Sequence, residues 1–204
     1  TYINMLKSVL VEDEVGVSMY PVKSPLFYGE AAPLSALIFI FFRLLGMNEI
    51  YAYYFFIVTI FSLTAFGLYL LSEFYLKDKL AAIMVGFLFT YNNFMFANID
   101  DSIILFFFIP ALCVYFLAKF GSEAKPRYLL WVGLVGGMQM YFSVYVYFFQ
   151  TFILLMLILI QSRKCCFKQY SRSWLICLAC YFLIPVPFIA FYLFSLMSLG
   201  LVYP

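Results

Sequence analysis

Three consecutive carboxylates, Glu12, Asp13 and Glu14, are the first side chains in the sequence whose types and spacing could support chemistry. Adjacent carboxylates repel one another unless a cation screens them, and Mg²⁺ or Mn²⁺ accepts such oxygens together with a substrate phosphate. A solvated acidic loop has the same composition, so the residues alone leave both interpretations open. We take the three as candidate metal ligands.

Asp100 and Asp101 form a second acidic cluster, which begins two residues after Asn98 and lies between two apolar runs. If both runs span a membrane, the acids lie close to its surface, where polar side chains are costly unless they face a wet cavity. Helix capping by Asp101 accounts for one acid but leaves Asp100 unexplained. Asn98, Asp100 and Asp101 are therefore candidate site residues.

Gln139, Ser143 and Tyr145 belong to a third group of polar residues, in the stretch 139–147. Tyrosine is common where a membrane meets water, so an aromatic belt explains part of the pattern. Glutamine and serine at a helix turn could also hydrogen-bond sugar hydroxyls or a phosphate. Both interpretations stay open for this group.

The composition indicates the environment that must position these side chains. Of the 204 residues, 67% are hydrophobic and 11% are charged, whereas soluble domains have about 25% charged residues. The sequence therefore predicts an integral membrane protein. A net charge of +2 gives no basic field for nucleic acid. The absence of histidine excludes His-based catalytic triads and the usual zinc sites.

The apolar runs can be counted as membrane spans, since a spanning helix needs about 20 residues. Residues 34–45 are too few, and they predict an interfacial or re-entrant helix that Pro33 opens. The run 128–160 is too long for one untilted crossing and short for two. The runs of spanning or nearly spanning length are 50–76, 80–98, 103–119 and 174–199.

Charge placement divides the run 128–160 into two arms. A single crossing would put the basic residues around Lys125 and those around Lys164 on opposite sides, although Lys and Arg tend to stay in the cytosol. A hairpin that turns near residues 139–143 keeps both groups on one side. The basic residues then predicted to face the cytosol are Lys77, Lys79, Lys119, Lys125, Arg127, Arg163, Lys164, Lys168 and Arg172.

These boundaries predict an all-α polytopic membrane protein with about six transmembrane helices and one interfacial helix. Residues 1–49 are expected to form an extracytoplasmic loop that includes the interfacial helix, and residues 50–204 the transmembrane domain. The chain opens without the residue order of a signal peptide, and we interpret it as a fragment of a longer protein.

Proline and glycine positions predict how the helices bend and pack. Pro110, Pro185 and Pro187 remove backbone donors within apolar runs and predict kinks where neighbours satisfy the freed carbonyls. Gly133 and Gly137 form a face of small residues that lets a neighbouring helix approach closely.

The order of these features resembles a known family. An outer loop with Ser24 and Pro25 precedes a short helix and a span, and a tight turn at 98–101 leads to a helix with Pro110. A basic inner loop and the polar hairpin follow. Over roughly residues 20–160 this order resembles the GT-C superfamily of membrane glycosyltransferases, and within it the bacterial YfhO-like multi-pass proteins.

The resemblance implies a transferase that moves a sugar from a polyprenyl-phosphate carrier to an acceptor on the extracytoplasmic face, often with Mg²⁺ or Mn²⁺. The carrier lipid would enter between helices from a bacterial plasma membrane. The residues that the resemblance implies are Asp100, Asp101 and Asp13 for catalysis, Glu12, Asp13 and Glu14 as metal ligands, and Asn98, Gln139, Ser143 and Tyr145 for orienting the donor.

Two other functions stay open on the sequence alone. In a non-catalytic subunit of a larger membrane complex, Asp100 would meet an Arg or Lys of a membrane-protein partner, and no metal would bind. A transporter is favoured in general by broken helices. Against it, no ionisable residue lies in the middle of any predicted span, and the carboxylates gather at one surface.

Overall fold

The computed structural model of the chain describes residues 33–92, 95, 106–162, 170–190 and 193. Within these ranges the regular elements are α-helices and one 3₁₀ turn, with no strand, and the predicted all-α fold class is confirmed. In chain order the helices are α1 (Pro33–Leu44), α2 (Glu49–Leu76), α3 (Lys79–Thr90), α4 (Phe108–Glu123), α5 (Pro126–Met138), α6 (Val144–Ser162) and α7 (Ser171–Leu183).

Side-chain caps fix the starts of two helices. Asn48 Oδ1 accepts the backbone N–H of Tyr51 at 2.9 Å, at the start of α2. Asp78 Oδ1 accepts the N–H of Leu80 at 2.8 Å, at the start of α3. Each cap satisfies a backbone donor that has no partner inside its helix. The structure describes α1 from Pro33 onward, and because residue 32 lies outside the described part, the opening of this helix by Pro33 stays a prediction.

The prolines act differently from one another. α4 begins at Phe108, so Pro110 lies in the first turn, where its missing N–H would have no partner inside the helix. The prediction of a kink within the span at Pro110 is therefore wrong. α7 ends at Leu183, and helix resumes at residues 186–190, so the helix is interrupted where a kink at Pro185 was predicted.

The run 128–160 does not form one continuous helix, because a 3₁₀ turn at Gln139–Tyr141 separates α5 from α6. Gln150 Nε2 lies 3.3 Å from the carbonyl oxygen of Gly136, 14 residues earlier. A straight helix would separate these two residues by about 21 Å. The chain therefore reverses direction, and the predicted hairpin is confirmed.

Small residues let α5 pack closely on α7. A Cβ added to Gly133 would lie 2.5 Å from the carbonyl oxygen of Cys177, and one on Gly137 would lie 3.0 Å from that of Cys180. The predicted close approach at this glycine face is confirmed. The bundle continues with α4 against both α5 and α2, and with α2 against α1 and α3.

We call one end of the bundle the basic end. Phe120 of α4 meets Tyr170, next to the start of α7, with ring centroids 5.3 Å apart. Phe74 of α2 meets Tyr115 of α4 at 6.2 Å. These contacts bring together the helix ends that carry Lys77, Lys79, Lys119, Lys125, Arg127 and Arg172. Of the Lys and Arg residues that the structure describes, Arg43 alone lies elsewhere.

Two of the described helical segments, Glu49–Leu76 and Ser171–Ala190, are long and apolar enough to cross a membrane by length and composition. Three other apolar segments, Pro33–Leu44, Lys79–Thr90 and Val144–Leu159, are shorter. Helix length alone therefore supports two spans, and the six-span arrangement stays a prediction.

Candidate functional site

The five acidic candidates and Asn98 lie outside the described residues, as does the predicted loop that precedes α1. The acids are Glu12, Asp13, Glu14, Asp100 and Asp101. Their roles as catalytic residues, donor ligand and metal ligands stay predictions. The described candidates are Gln139, Ser143 and Tyr145, in the turn between α5 and α6 and at the start of α6.

Gln139 is completely buried at the hairpin turn, with 0% of its surface exposed. Its backbone oxygen accepts the N–H groups of Phe142 and Ser143, both at 2.9 Å, which closes the turn. Neither Nε2 nor Oε1 of its side chain has a hydrogen-bond partner among the described residues. A buried polar group without partners costs about 1–3 kcal/mol, so a water or a ligand that hydrogen-bonds this amide would stabilise the turn.

Ser143 and Tyr145 differ in what they can contact. Ser143 is buried, and its Oγ accepts the N–H of Val146 at 3.2 Å, so this hydroxyl caps the start of α6. The side chain of Tyr145 is 60% exposed on the outer surface of the bundle. The structure therefore brings Gln139 and Ser143 together in one buried turn and leaves Tyr145 outside it.

The hairpin turn joins three other parts of the chain. The ring of Phe142 stacks on that of Phe106, just before α4, with centroids 4.2 Å apart and planes 7° apart. Ser35 of α1 donates its hydroxyl to the carbonyl oxygen of Phe142 at 3.4 Å. Tyr141 donates its hydroxyl to the carbonyl oxygen of Ile184 at 2.8 Å. We call this meeting point the hairpin end.

A polar network in the bundle interior was missed by the sequence analysis. Gln150 Nε2 donates to the carbonyl oxygen of Gly136 and lies 3.4 Å from the hydroxyl of Tyr181. That hydroxyl is 2.6 Å from Thr151 Oγ1, which also donates to the carbonyl oxygen of Tyr147. Tyr147 in turn donates its hydroxyl to the carbonyl oxygen of Tyr181 at 3.2 Å.

The sequence held a signal for part of this network. Gln150 and Thr151 are adjacent polar residues inside the otherwise apolar helix α6, and polar side chains at such a depth are costly unless they find partners. Tyr181 gave no such signal, because it is one of 18 tyrosines in a sequence rich in aromatic residues.

The basic end is electrostatically simple. The pKa of Glu123 lies below its usual value. The first cause is the ammonium of Lys125, whose Nζ lies 2.6 Å from Oε2 of Glu123, and the second is the hydrogen bond from the hydroxyl of Tyr128. The ammonium of Lys119 lies 5.0 Å from the centre of the Tyr115 ring. The lowered pKa of Glu123 favours its charged form, so this carboxyl is not tuned to exchange protons near neutral pH.

Metal binding is not tested by the part of the chain that the structure describes. Within that part, no three His, Cys, Asp or Glu side chains come together as a metal site would require. The candidate ligands Glu12, Asp13 and Glu14 lie outside it.

No family model, no curated protein and no solved structure matches the chain. The function must therefore be argued from the residues of this chain and from their geometry.

Proposed function

We propose that the chain is an integral membrane glycosyltransferase of GT-C type. It moves a sugar from a polyprenyl-phosphate carrier to an acceptor on the extracytoplasmic face of a bacterial plasma membrane. The observation that carries this proposal is the buried amide of Gln139, without a described partner, at the end of the bundle that faces away from the basic turns.

The outer surface of the bundle supports a membrane location. Large apolar side chains are widely exposed on it, among them Leu44 at 82%, Phe149 at 71% and Leu80 at 70%. Soluble monomers rarely expose contiguous apolar patches larger than a few hundred Å², whereas a bilayer covers such side chains with lipid. In the proposal the two hairpin arms cross beside the longer helices, which gives about six spans with α1 at the interface.

The chemistry of Gln139 supports a polar ligand. Its amide offers two N–H donors and an oxygen with two acceptor positions, and the described residues fill none of them. Sugar hydroxyls and phosphate oxygens are complementary to such a group. In the proposal a sugar or phosphate that reaches this turn supplies the missing hydrogen bonds.

Chain connectivity links this turn to the acidic candidates. Phe106 stacks on Phe142 in the turn, and Asp101 precedes Phe106 by five residues. Five residues of any chain span at most about 18 Å. That distance suits an enzyme in which Asp100 and Asp101 act on a sugar that the hairpin end holds.

The individual residues have the roles that the resemblance to the GT-C superfamily implies. Asp100 or Asp101, with Asp13, deprotonates the acceptor hydroxyl. Glu12, Asp13 and Glu14 would hold Mg²⁺ or Mn²⁺, which would supply positive charge to the carrier phosphate. The residues that orient the donor are Asn98, Gln139, Ser143 and Tyr145.

The decisive experiment replaces Asp100 and Asp101 together by Asn. Membranes that contain the protein are incubated with a panel of radiolabelled polyprenyl-phosphate hexoses, and transferred label is counted. We expect transfer to fall at least about 100-fold, because a general base contributes a factor of this order. The matched control is Asp78→Asn at the basic end, where Asn caps a helix as well as Asp does.

Unchanged transfer by the double variant would remove these acids from the mechanism. Absence of transfer by the unaltered protein, with every donor in the panel, would favour the non-catalytic subunit. In that case a partner membrane protein should copurify, and the double variant should lose it.

A further inference from the structure

The turn between α4 and α5 has an excess of positive charge at the basic end. Three cations, Lys119, Lys125 and Arg127, stand against one carboxylate, Glu123, so the net charge of this turn is +2. The neighbouring turn between α2 and α3 is neutral, because its two acids balance its two lysines, which are Glu73, Asp78, Lys77 and Lys79. The two turns lie at the same end of the bundle, but the one between α4 and α5 attracts an anion more strongly.

The carboxylate of this turn is already satisfied by two other groups. Oε2 of Glu123 lies 2.6 Å from Nζ of Lys125 and accepts the hydroxyl of Tyr128 at 2.9 Å. Among the residues that the structure describes, Lys119 and Arg127 form no ion pair with a carboxylate. These two cations therefore account for the excess charge.

The two cations lie beside the same aromatic ring. Nζ of Lys119 lies 5.8 Å from the centre of the Tyr128 ring, and Cζ of Arg127 lies 5.1 Å from it. Arg127 also donates to the hydroxyl of Tyr128 at 3.3 Å. A cation–π contact carries no counter-charge, and an ammonium and a guanidinium have three and five N–H donors. Both groups therefore keep donors for an anion.

A short connection holds these cations in place. Ala124 ends α4 in the left-handed conformation, with φ 52°, and its N–H donates to the carbonyl oxygen of Phe120 at 2.8 Å. Pro126 opens α5 two residues later, and its ring fixes φ there. An anion that arrives between Lys119 and Arg127 meets cations on a preformed turn, which lowers the entropic cost of binding.

An aromatic wall begins one helical turn away from the charges. Trp131 follows Arg127 by four residues on α5, and Phe116 precedes Lys119 by three on α4, so each pair shares a face of its helix. The rings of Phe116 and Trp131 stack, with centroids 6.2 Å apart and planes 24° apart. Trp131 is 49% exposed. The outer surface therefore carries two cations and, about 5 Å further along the helices, an exposed aromatic face.

The combination of charge and apolar surface selects the ligand. A free phosphate would use the cations but would leave Trp131 uncovered. An anionic phospholipid suits both parts, because its phosphate oxygens accept hydrogen bonds from Arg and Lys and its glycerol and acyl chains lie against the rings. Tryptophan is enriched at the level of lipid headgroups, and basic pockets between transmembrane helices bind anionic headgroups.

We propose that the surface formed by Lys119, Arg127, Phe116 and Trp131 binds an anionic phospholipid. Lys119 and Arg127 hold its phosphate, and the start of its acyl chains packs against Phe116 and Trp131. The site requires the membrane location proposed above, but it is independent of sugar transfer and holds equally for a transferase, a subunit or a transporter. Its test measures lipid binding, so its failure is distinguishable from the absence of sugar transfer.

Trp131 can report the bound lipid, because bromine atoms on a lipid chain quench the fluorescence of a tryptophan that they contact. The chain has two tryptophans, and Trp174→Phe leaves Trp131 alone. This full-length variant is reconstituted in phosphatidylcholine bilayers, in which brominated phosphatidylglycerol or brominated phosphatidylcholine replaces an increasing fraction of the lipid. The two curves give the binding constant of phosphatidylglycerol relative to phosphatidylcholine at Trp131.

We expect phosphatidylglycerol to bind about five- to thirtyfold more tightly, since each Lys or Arg near a membrane surface contributes about fivefold. If Trp174→Phe does not fold, the chain with both tryptophans gives the same comparison. Trp174 is 3% exposed, so it adds a background that lipid bromines do not contact.

Removing both charges should abolish the preference. In Lys119→Gln with Arg127→Gln, the relative binding constant should fall about five- to thirtyfold, to no preference. The matched control is Lys77→Gln with Lys79→Gln, which removes the same charge from the neighbouring turn and should change the constant by less than about twofold. The exchange Lys119→Arg with Arg127→Lys keeps both charges and should keep a preference of at least about threefold.

Four outcomes would overturn the proposal. One is equal binding of the two brominated lipids at Trp131, and another is a preference that survives removal of the charges at 119 and 127. An equal loss in the control at 77 and 79 would show a response to the overall charge of the basic end. Displacement of the lipid by excess glycerophosphoglycerol, the free headgroup, would show a site for a soluble anion.

Discussion

Gly133 of α5 lies directly against the backbone of Cys177 on α7. A Cβ at position 133 would lie 2.5 Å from the carbonyl oxygen of Cys177 and 3.0 Å from its Cα. Real Cβ atoms do not approach carbonyl oxygens this closely, so any side chain at 133 must push the two helices apart. The contact between α5 and α7 therefore depends on this glycine.

Gly133→Ala should destabilise the fold by about 1–3 kcal/mol, because the added methyl group overpacks a backbone contact that cannot move aside locally. The measurement is the free energy of unfolding in mixed micelles titrated with sodium dodecyl sulfate. Gly121→Ala is the matched control, since Gly121 is an exposed helical glycine. Gly121→Ala should raise the free energy of unfolding by about 0.5–1 kcal/mol. Equal effects at the two positions would contradict the close approach.

Tyr147→Phe should destabilise the fold by about 1–3 kcal/mol, because it leaves a buried carbonyl without a donor. Pro185 has no N–H, so the carbonyl oxygen of Tyr181, four residues earlier, lacks its helical partner. The Tyr147 hydroxyl donates to that oxygen at 3.2 Å. The same denaturant titration measures the loss, and Tyr54→Phe, on the exposed face of α2, is the control.

A double variant tests the reason for this loss. Pro185→Ala restores an N–H that can donate to the carbonyl oxygen of Tyr181. In the Pro185→Ala background, Tyr147→Phe should lower the free energy of unfolding by about 0.5–3 kcal/mol less than it does in the chain with the native proline. If the cost is the same in both backgrounds, the hydroxyl stabilises the fold through some other contact, since the Phe variant keeps the ring that stacks on Tyr181 at 5.1 Å.

The pKa of Glu123 should rise toward its usual value when Lys125 is replaced by Gln, because the Lys125 ammonium is the first cause of its lowering. Tyr128→Phe should raise it less. ¹³C NMR titration of the Glu123 carboxyl measures both changes. About 1 M salt should also raise the pKa, since these side chains are partly exposed. A pKa that neither variant moves would contradict the assigned causes.

The sign of the stability effect follows from the same shift. The pKa of Glu123 is lower in the folded chain than the value of about 4.3 expected when unfolded. Its interactions therefore stabilise the fold above that pH, and the stabilisation is lost as the pH falls through the folded value. Lys125→Gln should narrow the difference between stability at neutral and at acidic pH.

Local rules were enough to predict the hairpin and the glycine contact. The hairpin followed from the basic residues on both sides of 128–160, and the close approach at Gly133 followed from small-residue spacing. Both depend on the sequence near the element itself. The predicted kink at Pro110 was wrong because α4 begins at Phe108, and this start has no side-chain cap that the sequence could reveal.

The interior network needed information that a single sequence does not hold. Gln150 and Tyr181 are 31 residues apart and meet only because α6 and α7 both pack beside Gly136. The register of one helix against another depends on side-chain packing along both, and apolar composition leaves it undetermined. The missing partner of Gln139 is likewise a property of the packed turn, since the sequence shows only a polar residue.

Sidedness can be tested by labelling single cysteines in intact cells with a membrane-impermeant maleimide. Lys125 and Arg172 both lie at the basic end, where Phe120 joins α4 to the start of α7. If the bundle spans the membrane as proposed, Lys125→Cys and Arg172→Cys should react only after the cells are opened. Tyr145→Cys, on the exposed surface near the hairpin end, should react in intact cells.

The labelling background replaces Cys165, Cys166 and Cys180 by Ser and keeps the buried Cys113 and Cys177. Each variant is also labelled after detergent solubilisation, which shows that its thiol is reactive once accessible. Reaction at positions 125 and 172 from opposite sides would mean that the hairpin does not return to its starting face. If Tyr145→Cys reacts only from the cytosol, the hairpin end lies on the cytosolic side of the membrane. Sugar transfer at an extracytoplasmic site would then be excluded.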